Sequence, residues 1–133
     1  MVLDSFALLA FLRKEGGEAV VRRLLHDAER QGKLLHMTEV NYAEVKYITL
    51  RKSGREKWRR VERLLPTLPI EFLPFSRSLS DTAAEFKAKH SMSLADACAA
   101  ALAHHLGAEL VTGDREFEAL ENVIKVLWLK PLG

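Results

Sequence analysis

Cysteine is nearly absent. With Cys98 alone, the chain closes no internal disulfide, which excludes a small cross-linked scaffold and fits a reducing compartment. Four prolines and seven glycines are too few for a collagen-like or low-complexity chain. No apolar run approaches the ~20 residues of a membrane-spanning helix. The opening stretch, MVLDSFALLAFLRK, has no basic leader, and Asp4 and Arg13 bracket only eight uncharged residues. That pattern is neither a secretory signal nor an anchor, and we expect a cytoplasmic protein without a membrane partner. His26, His36 and His90 show no zinc-ligand spacing, and the adjacent His104 and His105 diverge on a helix.

The 133 residues are expected to form a single domain, 1–133, with a proper core. Net charge is only +2, but residues 51–63, RKSGREKWRRVER, hold seven Lys/Arg against two Glu. A basic segment on a mildly acidic body suggests a polyanionic partner. The plainer reading is a solvated helix face, because Trp58, Val61, Leu64 and Leu65 are spaced to bury the other side.

Short apolar runs alternate with helical patterns. MVLD, KLLHM, IEFLPF, AELVT and VIKVLWL read as strands. Between them fall helices over 5–14, 16–32, 38–54, 55–65, 76–90, 93–107 and a short one over 114–120. Thr38 is placed to cap its helix, and Gly32, Gly54 and Gly107 to close theirs. Strands alternating with helices predict an α/β fold with a mostly parallel sheet covered by helices on both faces. Ligands of such sheets bind at the carboxyl ends of the strands.

That rule makes four acids informative. Asp4 closes the first strand, and Asp114 follows the fourth, two residues after Thr112. The helix of Asp96 leads into the fourth strand, so its start returns to the same edge. Glu44 lies six residues past Thr38, about 9 Å along the axis, on a helix that begins there too. Neither Glu44 nor Asp96 has a Lys or Arg three or four residues away. Gathered carboxylates repel one another unless protonated or joined by a cation, and a hard divalent ion suits oxygen ligands. Each acid has a structural alternative: Ser93-x-x-Asp96 as a capping box, Asp114 as a helix cap, Asp4 in an Asx-turn, Glu44 in water. Cys98 reads as a small buried hydrophobe rather than a nucleophile.

VLDSFALLAFL, NYAEV, SLADACAAA and ELVTGDREFEAL together resemble the four motifs of the PIN-domain ribonucleases, within them the VapC-like toxins of type II toxin–antitoxin pairs. The likeness runs nearly end to end and keeps motif order and spacing. It implies a PIN-like three-layer α/β sandwich with a central, mostly parallel five-stranded sheet, Mg²⁺ or Mn²⁺ dependence, cleavage of an RNA substrate, a homodimer and inhibition by a cognate antitoxin. It assigns catalysis to Asp4, Glu44, Asp96 and Asp114, with Asp4, Asp96 and Asp114 as metal ligands. Ser5, Asn41, Thr112 and Glu116 then support them, Glu116 standing where many relatives carry Asp. Arg51, Lys52, Arg55, Arg59 and Arg60 are expected to contact RNA or antitoxin. The rival reading is a non-catalytic binding module of the same fold whose basic helix holds RNA or a protein. A phosphoacceptor receiver domain is disfavoured because IEFLPF carries no Asp, and a haloacid-dehalogenase-like hydrolase because Asp4 is followed by Ser5 and Phe6.

Overall fold

A computed structural model describes residues 1–130; the last three positions of the expected domain lie outside the described residues. The strands are β1 (Val2–Leu3), β2 (Leu35–Thr38), β3 (Ile70–Leu73), β4 (Leu110–Thr112) and β5 (Val126–Trp128). The helices are α1 (Ser5–Arg13), α2 (Glu18–Gln31), α3 (Glu39–Leu64), α4 (Arg77–Lys89) and α5 (Leu94–Leu106), with short 3₁₀ turns at Leu65–Thr67 and Arg115–Leu120. Every strand pairing is parallel, in the order β3-β2-β1-β4-β5. The expected α/β sandwich is therefore observed.

Alternation along the strands sorts side chains into two cores. Leu3, Leu35, Met37, Ile70 and Val111 face a layer made by α1, α2 and α3. Val2 and Leu110 face the opposite layer, where the alanines of α5 and Leu79 and Ala83 of α4 pack. Ala97 through Ala103 are all buried, so the apolar helix sits tightly beneath the sheet. Cys98 is 1% exposed, and burial pushes its thiol up to about 11, which leaves it protonated and inert.

Caps fall where the side chains allow them. Asp4, Thr38, Ser76 and Ser93 each accept the backbone N–H three residues on. Gly54, at φ 88° and ψ 173°, is non-helical within α3. The two helices expected on either side of it therefore meet without a linker. No Cβ could adopt that backbone freely. Beyond the break, Trp58 and Val61 return to the core while Arg55, Arg59 and Arg60 stay exposed. Trp58 meets Tyr42 edge-on at 5.8 Å, and Tyr42 meets Phe72 of β3 at 5.3 Å.

This aromatic relay ties the basic segment to the sheet. Trp58→Ala is expected to cost about 3–5 kcal/mol of stability, read as a lowered urea midpoint. Arg59→Ala and Arg60→Ala should each change stability by less than about 0.5 kcal/mol. Equal losses at the three positions would contradict the division into buried and solvated faces.

Candidate active site

Strand β1 is followed by a helix on one face of the sheet and β4 by a 3₁₀ turn on the other. The crevice between their carboxyl ends is the switch point where open α/β sheets take ligands. Asp4 and Asp114 both lie there.

Asp4 is 1% exposed. One of its oxygens accepts the Ala7 N–H at 2.8 Å, capping α1, and the other accepts the Thr112 hydroxyl from β4. Burial pushes its carboxyl up to about 7, against the lowering effect of those two donors, and the charges of Asp114 and Glu44 add to the rise. Asp96 is 8% exposed. Its N–H donates to Ser93 Oγ at 3.1 Å, the first half of a capping box. Its carboxylate turns instead toward the crevice, where burial, then the Asp114 charge, then hydrogen bonding with Glu116 and Asp114, push it up to about 8.

Thr112 also accepts the Asp114 N–H at 2.9 Å, and Asp114 accepts the Glu116 N–H at 3.0 Å. The chain is thereby drawn into a tight turn. One carboxylate oxygen from each of Asp96, Asp114 and Glu116 lies within 4.8 Å of the others. The expected ligand set was Asp4, Asp96 and Asp114, with Glu116 supporting. The geometry groups Glu116, the most exposed of the three, with Asp96 and Asp114, and gives both Asp4 oxygens a protein donor. Two residues apart, Asp114 and Glu116 converge only because the turn folds back, and the longer Glu arm covers the remaining distance. The acid pair in DRE was the available signal.

Glu44 is half-buried on α3 and close enough for its charge to be felt at Asp4. Asn41, wholly buried, donates to Ser5 Oγ at 3.1 Å and to the Ala95 carbonyl at 3.2 Å, and accepts from Thr38. One amide thus joins the first turns of α1, α3 and α5, the helices that carry the acids. Ser5 Oγ donates back to the Asn41 carbonyl at 3.3 Å. Among the described residues, no Lys or Arg forms an ion pair with any of the five acids. An all-carboxylate donor set without a cationic partner fits a hard divalent ion such as Mg²⁺ or Mn²⁺.

Arg51, Lys52, Arg55, Arg59 and Arg60 are exposed along α3. Arg51 lies over the Tyr47 ring at 5.2 Å. Among the described residues none of the five is salt-bridged. No described helix is long and apolar enough to cross a membrane.

The architecture recurs in solved structures. VapBC2 from Rickettsia felis, bound to a DNA fragment from its promoter, superposes with a TM-score of 0.79 at 16% identity, over 97% of this chain and 98% of that one. VapC20 from Mycobacterium tuberculosis, a sarcin–ricin-loop-cleaving toxin, gives 0.70 at 16% identity over 89% and 92%. FitAcB from Neisseria gonorrhoeae gives 0.68 at 23% identity over 95% of each chain. No curated protein sequence matches the chain significantly. The PIN domain family model matches residues 1–123, a span that includes all four acidic motifs and Glu116. The chain belongs to the PIN domain family.

Proposed function

We propose that this chain is a divalent-metal-dependent endoribonuclease, the toxin of a toxin–antitoxin pair, acting as a homodimer in the cytoplasm and held in check by a cognate antitoxin. The observation that carries the reading is the convergence of Asp96, Asp114 and Glu116 within 4.8 Å beside a buried Asp4. The likeness to toxin–antitoxin structures supports the partner.

Asp96, Asp114 and Glu116 would hold Mg²⁺ or Mn²⁺, joined by Asp4, whose oxygens each keep a further lone pair. When bound, such an ion lowers the pKa of water and neutralises charge on the phosphate. Glu44 orients the attacking water. Thr112 and the α1 N-terminus fix the Asp4 carboxylate. Asn41 and Ser5 hold the three helix starts in register, so the acids keep their spacing. Arg51, Lys52, Arg55, Arg59 and Arg60 contact RNA phosphates, with an acidic antitoxin segment as the competing occupant.

Asp4→Asn, Asp96→Asn and Asp114→Asn should each slow metal-dependent cleavage of a mixed RNA pool by roughly 100-fold or more, with far smaller changes in RNA affinity, since phosphate contacts dominate binding. Asn41→Ala should cost about 10–100-fold. Cleavage that survives chelator, or full activity in both Asp4→Asn and Asp96→Asn, would contradict the assignment. Alanine at the five basic positions should flatten the salt dependence of RNA affinity; an unchanged slope assigns them to the antitoxin.

The raised carboxyls also set a pH dependence. Asp4 and Asp96 ionise near 4 in the unfolded chain but near 7 and 8 in the fold. Their contribution to stability is complete below about pH 4 and is lost as pH rises through 7–8. In chelator, the melting temperature should therefore fall between pH 5 and pH 8. Mn²⁺ should raise it more at pH 8 than at pH 5. An equal Mn²⁺ effect at both pH values would count against a shared site at these acids.

A further inference from the structure

Beside the acids, a groove of about 430 Å³ opens between the start of α1 and the end of β5, lined by Phe6, Gly113, Arg115, Trp128, Leu129 and Lys130. Its size suits a single small ligand unit. Phe6 sits two residues after Asp4, yet it is 43% exposed while Asp4 and Ser5 are buried. An aromatic ring is thus left at the mouth of the site.

Gly113 explains how the ring is held. It has no positive φ, so backbone conformation does not demand glycine there. A Cβ at this position would stand 2.3 Å from Phe6 Cε1 and 2.6 Å from Cζ. The Phe6 ring therefore rests on the loop between Thr112 and Asp114, and a side chain at position 113 would displace the ring from this seat. Across the groove, Trp128 pairs in register with Thr112. Its indole N–H donates to Glu121 at 3.1 Å, and the Arg115 guanidinium lies 5.0 Å from its ring centroid. Lys130 and Arg115 line the groove with no carboxylate among the lining residues, Arg115 pairing through Nε with Glu118 at 3.0 Å.

A polyanion approaching five acids is repelled except where contacts are uncharged or cationic. A nucleobase is uncharged and stacks on aromatic faces whatever its identity. We propose that this groove seats an unpaired RNA base next to the phosphodiester presented to the acids. The base stacks on Phe6, and Arg115 and Lys130 meet the adjoining phosphates. The inference rests on the nuclease reading and adds to it a base-stacking position at Phe6.

The test uses the full chain carrying Asp96→Asn, with a labelled single-stranded RNA hexamer of mixed sequence in Mg²⁺. Affinity is read by anisotropy and stacking by quenching of tryptophan emission, with the buried Trp58 as constant background. Phe6→Ala should weaken binding about ten-fold and Phe6→Tyr should restore it. A fully paired RNA hairpin should be indifferent to both changes. Hexamer binding unaltered by Phe6→Ala, equal losses on paired RNA, or no hexamer binding at all overturns the proposal and leaves the groove to an apolar segment of a protein partner. The two readings fail separately. Metal-dependent cleavage with Phe6-independent binding removes this proposal alone. Phe6-dependent binding in a chain that cleaves nothing removes the nuclease reading and keeps the base-binding groove.

Discussion

Mutual repulsion among carboxylates, in a crevice where the burial of Asp4 and Asp96 limits screening by water, is the constraint around which the rest of this molecule is arranged. Asp4 and Asp96 are almost wholly buried, and each is driven toward its neutral form first by burial and then by its acidic neighbours. A fold meant only to be stable would replace them with apolar residues. Keeping them requires donors that hold the charged form and a partner that neutralises it. Thr112 and the first turn of α1 supply the donors. A divalent ion is the neutralising partner that fits an all-oxygen site.

The architecture serves that arrangement. With β1 between β2 and β4, the chain leaves β1 toward one face and β4 toward the other, opening a crevice at their carboxyl ends. Helices α1, α3 and α5 start near it, and the positive ends of their dipoles favour negative charge there. Asn41 makes this convergence rigid by bonding to the first turns of α1 and α5 from α3. The loop after β4 is equally constrained. Thr112 serves Asp4 and Asp114, and Gly113 gives room to Phe6. Charge and packing therefore meet within a few consecutive residues.

Much of this is legible in one dimension because alternation and caps are local. Thr38, Ser93, Gly32 and Gly107 mark helix ends by chemistry that needs no tertiary partner, and Gly54 marks a break that only its backbone freedom permits. The carboxyl-edge rule brings Asp4, Glu44, Asp96 and Asp114 toward one place before any coordinate is known. What escapes is whatever depends on a turn's curvature or on distant contacts. Glu116 reaches Asp96 only because the 3₁₀ turn folds back on itself. That Asp4 spends both oxygens on protein donors depends on the β1–β4 pairing, which no pattern in either strand announces. Phe6 and Trp128 lie at opposite ends of the chain, and nothing in composition or spacing joins them. The glycine of TGD was the nearest clue, visible only once its missing side chain is seen to face a ring.

In the proposed function, protons and a divalent ion compete for the same carboxylates. Calorimetric titration of the protein with Mn²⁺ at pH 6, repeated in buffers of different ionisation enthalpy, measures that competition directly. Since Asp4 and Asp96 ionise near 7 and 8, binding should release about one to two protons per ion, and Asp96→Asn should reduce that number. Mn²⁺ that binds without proton release, or fails to bind, would contradict the account.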